Sequence, residues 1–421
     1  MKNKAQILDS RNYNIDLLKI FAMFLVVVLH ITGMGGVIEG SLRLSTDISQ
    51  KILNAVAGCC INLFSLCTGY LLCTKTVKIK RLFSLWFDVF FYSVVCFAAA
   101  LVISKDTSML SFPSLGFLFP ICFSKYWYMS VYFAVYIFSP FFNRLIESLD
   151  KKQFSWMLIC ALMAFSVIPT VAGEDTFLIG GVSVGQSFVW ITTMYFIGAY
   201  IKKYGLNIKR GILFAAAALS IMCNVIFTYI PEQFRSYGDK IFTLGDYSSI
   251  TVVVASTAIF VLILGVKINV KPKIGKLIAA FASASLAVYL IHTHEVIFYK
   301  WIVGNFTWIG RYSAPVSVLV VIGISLAVTL GCSLIGIAQR KLFCLIGVNR
   351  FCEKLEYKMG KIKMYMKNVL FDKRFHPIKF FLVYGTKKNY HSGVQDNCRN
   401  DFKGSGKFEI SYVEKEENKV F

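Results

Sequence analysis

The sequence predicts an all-α membrane protein of about ten transmembrane helices, with both termini in the cytoplasm and a polar cavity enclosed within the membrane. Three observations predict it. The chain of 421 residues is 56% hydrophobic and only 16% charged, with a mean hydropathy of +0.62. Its apolar residues gather into ten segments near the ~20 residues that a ~30 Å hydrocarbon core requires. None shows the ten-residue alternation of a membrane barrel strand, and backbone groups in lipid must pair within their own segment, so the segments are helices. Finally, fifteen Lys and Arg residues fall in the even-numbered connections or the span ends that flank them, and eight in or beside the odd-numbered ones. Positive charge collects on the cytoplasmic side, which places both termini there and requires an even number of spans.

In chain order, a short polar lead covers 1–14. The first span, 15–36, is too long for a secretory signal, and no small-residue cleavage site follows it. An outward loop at 37–51 leads to the second span, 52–73. The third span, 82–104, follows the basic connection that carries Lys78, Lys80 and Arg81. The outward loop 105–125 contains Ser111-Phe112-Pro113 and Pro120, which predicts a structured or re-entrant segment. The fourth span, 126–146, opens with Trp127 and Tyr128, where an aromatic belt belongs. The fifth and sixth, 154–172 and 186–202, are short, and Lys202 and Lys203 close the sixth. The seventh, 210–230, and eighth, 248–267, flank the outward loop 231–247. The ninth, 278–303, and tenth, 314–338, complete the membrane domain, 15–338. The two halves show no internal repeat of the kind many transporters carry.

The remainder, 339–421, holds 18 Lys and Arg against 9 Asp and Glu. Its first part mixes apolar and basic residues and reads either as an interfacial helix on an anionic leaflet or as a solvated helix before a disordered end. The net charge of +22 follows from topology and calls for no nucleic acid. The twelve cysteines lie mostly in apolar spans. No CxxC and no Cys/His cluster with zinc spacing occurs, so they read as packing residues and no metal is expected.

Ionisable groups inside a span are costly and are functional candidates by default. His30 stands eleven positions after Lys19, ~20° past three full turns, so the two share a face ~16.5 Å apart along the axis. Asp16, three residues before Lys19, can pair with it. That face carries Asp and Lys near the cytoplasmic entrance and His beyond mid-membrane. Snorkelling at the interface also accounts for Asp16 and Lys19, but not for His30. In the ninth span, Ser285, Tyr289 and His292 share one face, with Glu295 next to it and His294 turned elsewhere. Helix–helix hydrogen bonding is the competing account for Ser285 and Tyr289. Tyr128, Tyr132 and Tyr136 form a hydroxyl stripe suited to a sugar or to plain packing. Lys78, Lys80 and Arg81 suit phosphates and equally suit positive-inside bias.

These stretches bear a resemblance. "NIDLLKIFAMFLVVVLH", "NLFSLCTGYLL", "YWYMSVYFAVYIFSPFFNRL", "MYFIGAYIKK" and "LAVYLIH" stand in the order in which the integral-membrane acyltransferase family 3 carries similar ones. The chain resembles that family over about 13–338. The family's arginine, ten residues, histidine pattern falls on Lys19 and His30, with lysine in place of arginine. Its basic pair falls on Lys78 and Arg81, and its Ser-Gly-Tyr-like turn on Thr68-Gly69-Tyr70.

The resemblance implies transfer of an acetyl group from acetyl-CoA to a hydroxyl of a carbohydrate, polymeric or lipid-linked, at the cytoplasmic (inner) membrane of a bacterium, within reach of membrane lipids and polysaccharide-assembly proteins. His30 is then the base, Asp16 orients Lys19, and Lys19, Lys78 and Arg81 hold the phosphates of CoA. Trp127, Tyr128, Tyr289 and His292 hold the acceptor or the oxyanion. The alternative is a transporter or flippase for a lipid-linked sugar, without acyl-transfer chemistry.

Overall fold

The computed structural model describes residues 11–105, 112–172, 183–237, 240–241 and 244–370. The expected lead before Arg11, Ser111 and the end of the basic tail lie outside them. The chain divides into a compact unit through Lys358 and a second unit from Met359.

Every predicted span meets a helix. Helix α1, Tyr13–Thr32, is capped by Asn12, whose side chain accepts from the backbone N–H groups of Asn14 and Ile15. It stops at a run of turns where Gly36 takes a φ of +85°, a region open to glycine and strained for other residues. The second span begins well before the predicted boundary and in two pieces, α2 (Leu44–Ala57) and α3 (Cys60–Leu72), which together run 29 residues. The expected turn at Thr68-Gly69-Tyr70 is therefore a correction, because all three residues sit inside α3.

Helix α4 covers Ile79–Ser104. The connection after it folds back, as its prolines suggest. A 3₁₀ segment, Phe112–Leu118, lays Phe117 against α4, where the Ser93 hydroxyl donates to the Phe117 carbonyl at 2.8 Å. Helix α5, Trp127–Ser148, tolerates Pro140 in its interior. Proline lacks the N–H that would bond the Tyr136 carbonyl, and the Ser139 hydroxyl donates to that carbonyl instead, at 2.8 Å. Helix α6, Lys151–Leu162, starts from a capping box between Asp150 and Gln153 and continues through a π-helical turn, Met163–Val167, to Ala172.

Helices α7 (Phe188–Tyr204), α8 (Arg210–Phe227) and α9 (Ile250–Leu264) follow, with a two-residue ladder, Ser236–Tyr237 against Lys240–Ile241, in between. Helix α10, Pro272–His292, ends eleven residues before the predicted boundary. Thr293 caps it, and the short α11, Glu295–Trp301, takes a new direction. Glu295 is thus not beside the Ser285–His292 face and bonds Lys125 at 2.7 Å instead. Helix α12, Ala314–Leu345, overruns its predicted end by seven residues, and α13, Val348–Leu370, closes the described chain.

Eight of these segments are long and apolar enough to cross a membrane, against the ten predicted. The other two predicted spans are helices α7 and α9, of 17 and 15 residues. The segments sort by burial. In α1 and in α2–α3, 61% and 72% of the apolar window is buried inside the protein, but in α6 and α8 only 17% and 22%. The first set forms the core, and the second presents its apolar side chains outward, to lipid.

Two glycines hold the core's closest helix pair. A Cβ on Gly69 of α3 would lie 1.9 Å from the Tyr195 carbonyl oxygen of α7, and one on Gly198 of α7 would lie 2.3 Å from that of Leu66. Small residues at such a crossing let two backbones meet. All eleven cysteines among the described residues are free.

Candidate active site

A pocket of about 550 Å³ opens between α1, α3, α4, α5, α10 and the end of α12. Four cations face it, Arg11, Lys19, Arg81 and Arg340, against two carboxylates, Asp16 and Asp88. Asp16, 4% exposed, pairs with Arg11 and lies 4.0 Å from Lys19. Arg81 reaches inward over the Tyr136 ring. Asp88 accepts from the Gln339 amide at 2.8 Å. Further in, Tyr128, Tyr132, Ser285 and Tyr289 add hydroxyls to an otherwise apolar wall. Among the described residues, no group of three or more metal-ligating side chains comes together.

Two helical stripes line this pocket, and both end on histidines. On α1 the stripe is Asp16, Lys19, Met23 and Val26, and His30 is the next residue on that face, one turn beyond. On α10 it is Ala282, Ser285 and Tyr289, followed by His292. The pocket stops at Val26 and Tyr289, a turn short of the histidines. There the two imidazoles meet across 262 residues of sequence, His30 Nδ1 to His292 Nε2 at 3.1 Å. The edge of Phe298 from α11 packs on the His30 ring at 4.9 Å.

The partners fix the tautomers. His292 Nδ1 sits 2.5 Å from the Val288 carbonyl oxygen, and a carbonyl only accepts. So Nδ1 of a neutral His292 carries the proton, and its Nε2 is an acceptor. His30 must then donate from Nδ1, which leaves His30 Nε2 with a free lone pair. Two neutral imidazoles in series hold one ring nitrogen ready to take a proton.

The remaining predicted residues lie elsewhere. Lys78 caps α4 and touches Tyr136 through its backbone, the N–H donating to the hydroxyl at 3.2 Å; its side chain is not among those lining the pocket. Trp127 stacks on Tyr247, 6.4 Å between ring centres, outside this pocket. Lys80 pairs with Glu353. His294, just past α10, is buried; its Nε2–H donates to the Ser93 carbonyl and its ring stacks on Phe117. Burial pushes this imidazole down to about 4.

Sequence reasoning missed Arg11, Asp88, Gln339 and Arg340. Asp88 was visible as a carboxylate inside an apolar run. Arg11 and Arg340 stand just outside the predicted spans, where a basic residue reads as an interface marker.

The family model for an acyltransferase domain, acyltransferase family 3, matches residues 12–336. The chain belongs to that family. The match begins beside Asn12, the cap of α1, takes in both histidines and ends inside α12, so the acyltransferase-3 domain includes every pocket residue except Arg11, Arg340, Phe343 and Asn349. No curated protein and no solved structure matches the chain. The family supports acyl transfer by a multi-pass membrane protein.

Proposed function

We propose that this acyltransferase moves an acetyl group from acetyl-CoA to a hydroxyl of a cell-surface or lipid-linked carbohydrate, in the cytoplasmic membrane of a bacterium. The observation that carries the reading is the His30–His292 pair, one turn beyond the inner end of a pocket whose mouth is cationic. The four cations suit the phosphates of the donor. The apolar, hydroxyl-dotted wall suits its uncharged arm, which brings the thioester toward the histidines.

His30 Nε2 then takes the proton of the acceptor hydroxyl while the hydroxyl oxygen attacks the thioester carbonyl. The carbon–sulfur bond breaks, the CoA thiolate leaves, and the proton on His30 returns to that sulfur. His292 accepts from His30 Nδ1 throughout, so it is a positioning residue that holds the tautomer. Asp16 does the same for Lys19 and Arg11. Tyr128 and Tyr289, whose side chains line the inner part of the pocket, donate to the oxyanion. The partners of this reading are a neutral or lipid-linked glycan, the surrounding lipids and the proteins that assemble the polysaccharide.

Purified protein in detergent tests it. Acetyl-CoA turnover in the presence of acceptor glycan should vanish in His30→Ala. In His292→Phe, kcat should fall about a hundredfold or more, the usual range for a disabled general base, with KM for acetyl-CoA little changed. Movement of a lipid-linked sugar in liposomes with no CoA chemistry would overturn the reading in favour of a flippase.

A further inference from the structure

A second pocket, of about 440 Å³, opens at the other end of α1. Its walls come from Leu29 at the end of α1, Asn54 of α2, Gln186 before α7, Asn224 of α8 and Gly245–Tyr247 before α9. It is separated from the cationic pocket by three residues of chain at two places. On α1 the boundary falls between Val26 and Leu29, and on the second span between Ile61 and Gly58. Three residues are ~4.5 Å of helix. His30 follows Leu29 directly.

The two pockets differ in chemistry. In the second, Lys51 is already held by Asp47 at 2.9 Å and lies over the Tyr229 ring at 3.9 Å, so it offers little to a phosphate. What remains is Asp246, the hydroxyl residues Ser183 and Thr228, and a set of carboxamides. Asn224 is 7% exposed and, among the described residues, its amide has no hydrogen-bond partner; it faces the pocket beside Gly245. Its amide atoms are not sealed from solvent, so they open on the pocket and can bond a ligand there. The Gln186 amide is in the same position, half-buried on the opposite wall. Asn54 spends its N–H on Thr32 Oγ1 at 2.8 Å, which leaves its carbonyl oxygen available. A carboxamide both donates and accepts, as a hydroxyl does. Tyr247 and Phe227 add ring surfaces to the wall.

We infer that this second pocket is the acceptor subsite, built for a neutral polyhydroxylated ligand that enters from the end of the bundle opposite the donor. Asn224 and Gln186 are its binding residues, and the acyl group crosses the one-turn partition beside His30. The inference rests on the acyl-transfer reading and adds the place and polarity of the acceptor.

Asn224→Leu and Gln186→Leu test it in the full chain, because leucine keeps the volume and removes the amide. Each variant is expressed in the host in place of the parent protein, and the acetyl content of the surface glycans is read by mass. Each is also purified, and the rise in Tm on adding acetyl-CoA is measured. The expected result is at least tenfold less glycan acetylation with the acetyl-CoA-dependent Tm rise intact. Parental acetylation in both variants overturns the subsite. If Asn224→Leu alone is poorly folded, Gln186→Leu at a half-buried position decides. Failure of acetyl-CoA to stabilise the parent protein would instead count against the donor reading, so the two failures are distinguishable.

Discussion

Lys19 stands where the family pattern has an arginine, and its surroundings explain why lysine serves. Arg11 takes the Asp16 carboxylate, and Lys19 is left 4.0 Å from it as a second, looser partner. A forked guanidinium earns its advantage from two parallel hydrogen bonds, and at this site Arg11 already makes the close contact. In the proposed reaction Lys19 thus serves as a point charge at the pocket mouth. Lys19→Arg should keep most of the activity, whereas Lys19→Met should raise KM for acetyl-CoA tenfold or more in steady-state assays. Equal kinetics in all three would reduce Lys19 to an interfacial anchor. The Lys19–His30 face was legible because eleven residues close three helical turns, a relation internal to one helix. The His30–His292 contact and the Asp88–Gln339 bond were not, since their partners are 262 and 251 residues apart. Periodicity places a side chain on a face but does not say which distant face it meets. Asn224 was hidden for another reason: an amide near a span's end reads as ordinary interface polarity.

At the scale of elements, the apolar runs marked every long helix through α12, and the errors fall at their ends. Helix α10 was predicted to 303 because "EVIFYKW" is nearly as apolar as what precedes it, but His294 turns toward Ser93 and α11 starts afresh. Helix α12 was stopped at 338 because Gln339 and Arg340 are polar, yet Asp88 receives the Gln339 amide within the bundle. Hydropathy sees a residue's cost in lipid and not the partner that offsets it. Gly69 was misplaced for another reason: the family resemblance put a turn at Thr68-Gly69-Tyr70, and the glycine is instead a helix contact. The crossing of α3 and α7 depends on it: a methyl 1.9 Å from the Tyr195 oxygen forces the helices apart. Gly69→Ala should therefore lower Tm by about 5 °C, the shift several kcal/mol produces in a chain of this size, or leave no extractable protein. Gly323→Ala in α12, where a Cβ meets nothing within 4 Å, should leave Tm unchanged or slightly raised. Equal, small shifts at both sites would mean that the crossing adjusts freely.

For the whole molecule the question is whether the two short helices cross. Helix α9 has 15 residues, which is ~22 Å of helix against a ~30 Å core. Its ends nonetheless reach both ends of α1. Before it, Tyr247 shares the second pocket with Leu29, and the Ser248 carbonyl accepts from Ser166. Beyond it, the Ile263 and Val266 carbonyls accept from Asn14, at the start of α1, at 2.6 and 2.8 Å. Helix α7 runs from Gln186 in the second pocket to Lys203, which donates to the Ile146 and Leu149 carbonyls at the end of α5. Helix α9 therefore runs the length of α1, and for the two short helices the bilayer has only to thin locally or let flanking Lys202, Lys203 and Arg210 snorkel. The excess of basic residues in alternate connections follows if ten segments cross and the end that holds Asn14 is cytoplasmic. With native cysteines replaced, single cysteines at the exposed positions Asn207, Glu232 and Asn269 separate the cases. In intact cells a membrane-impermeant maleimide should label Glu232→Cys, and it should label Asn207→Cys and Asn269→Cys only after permeabilisation. If neither short helix crosses, Asn207→Cys and Glu232→Cys exchange behaviour. The second pocket would then no longer face the outside, because Asn224 and Leu29 would lie on opposite sides of the membrane.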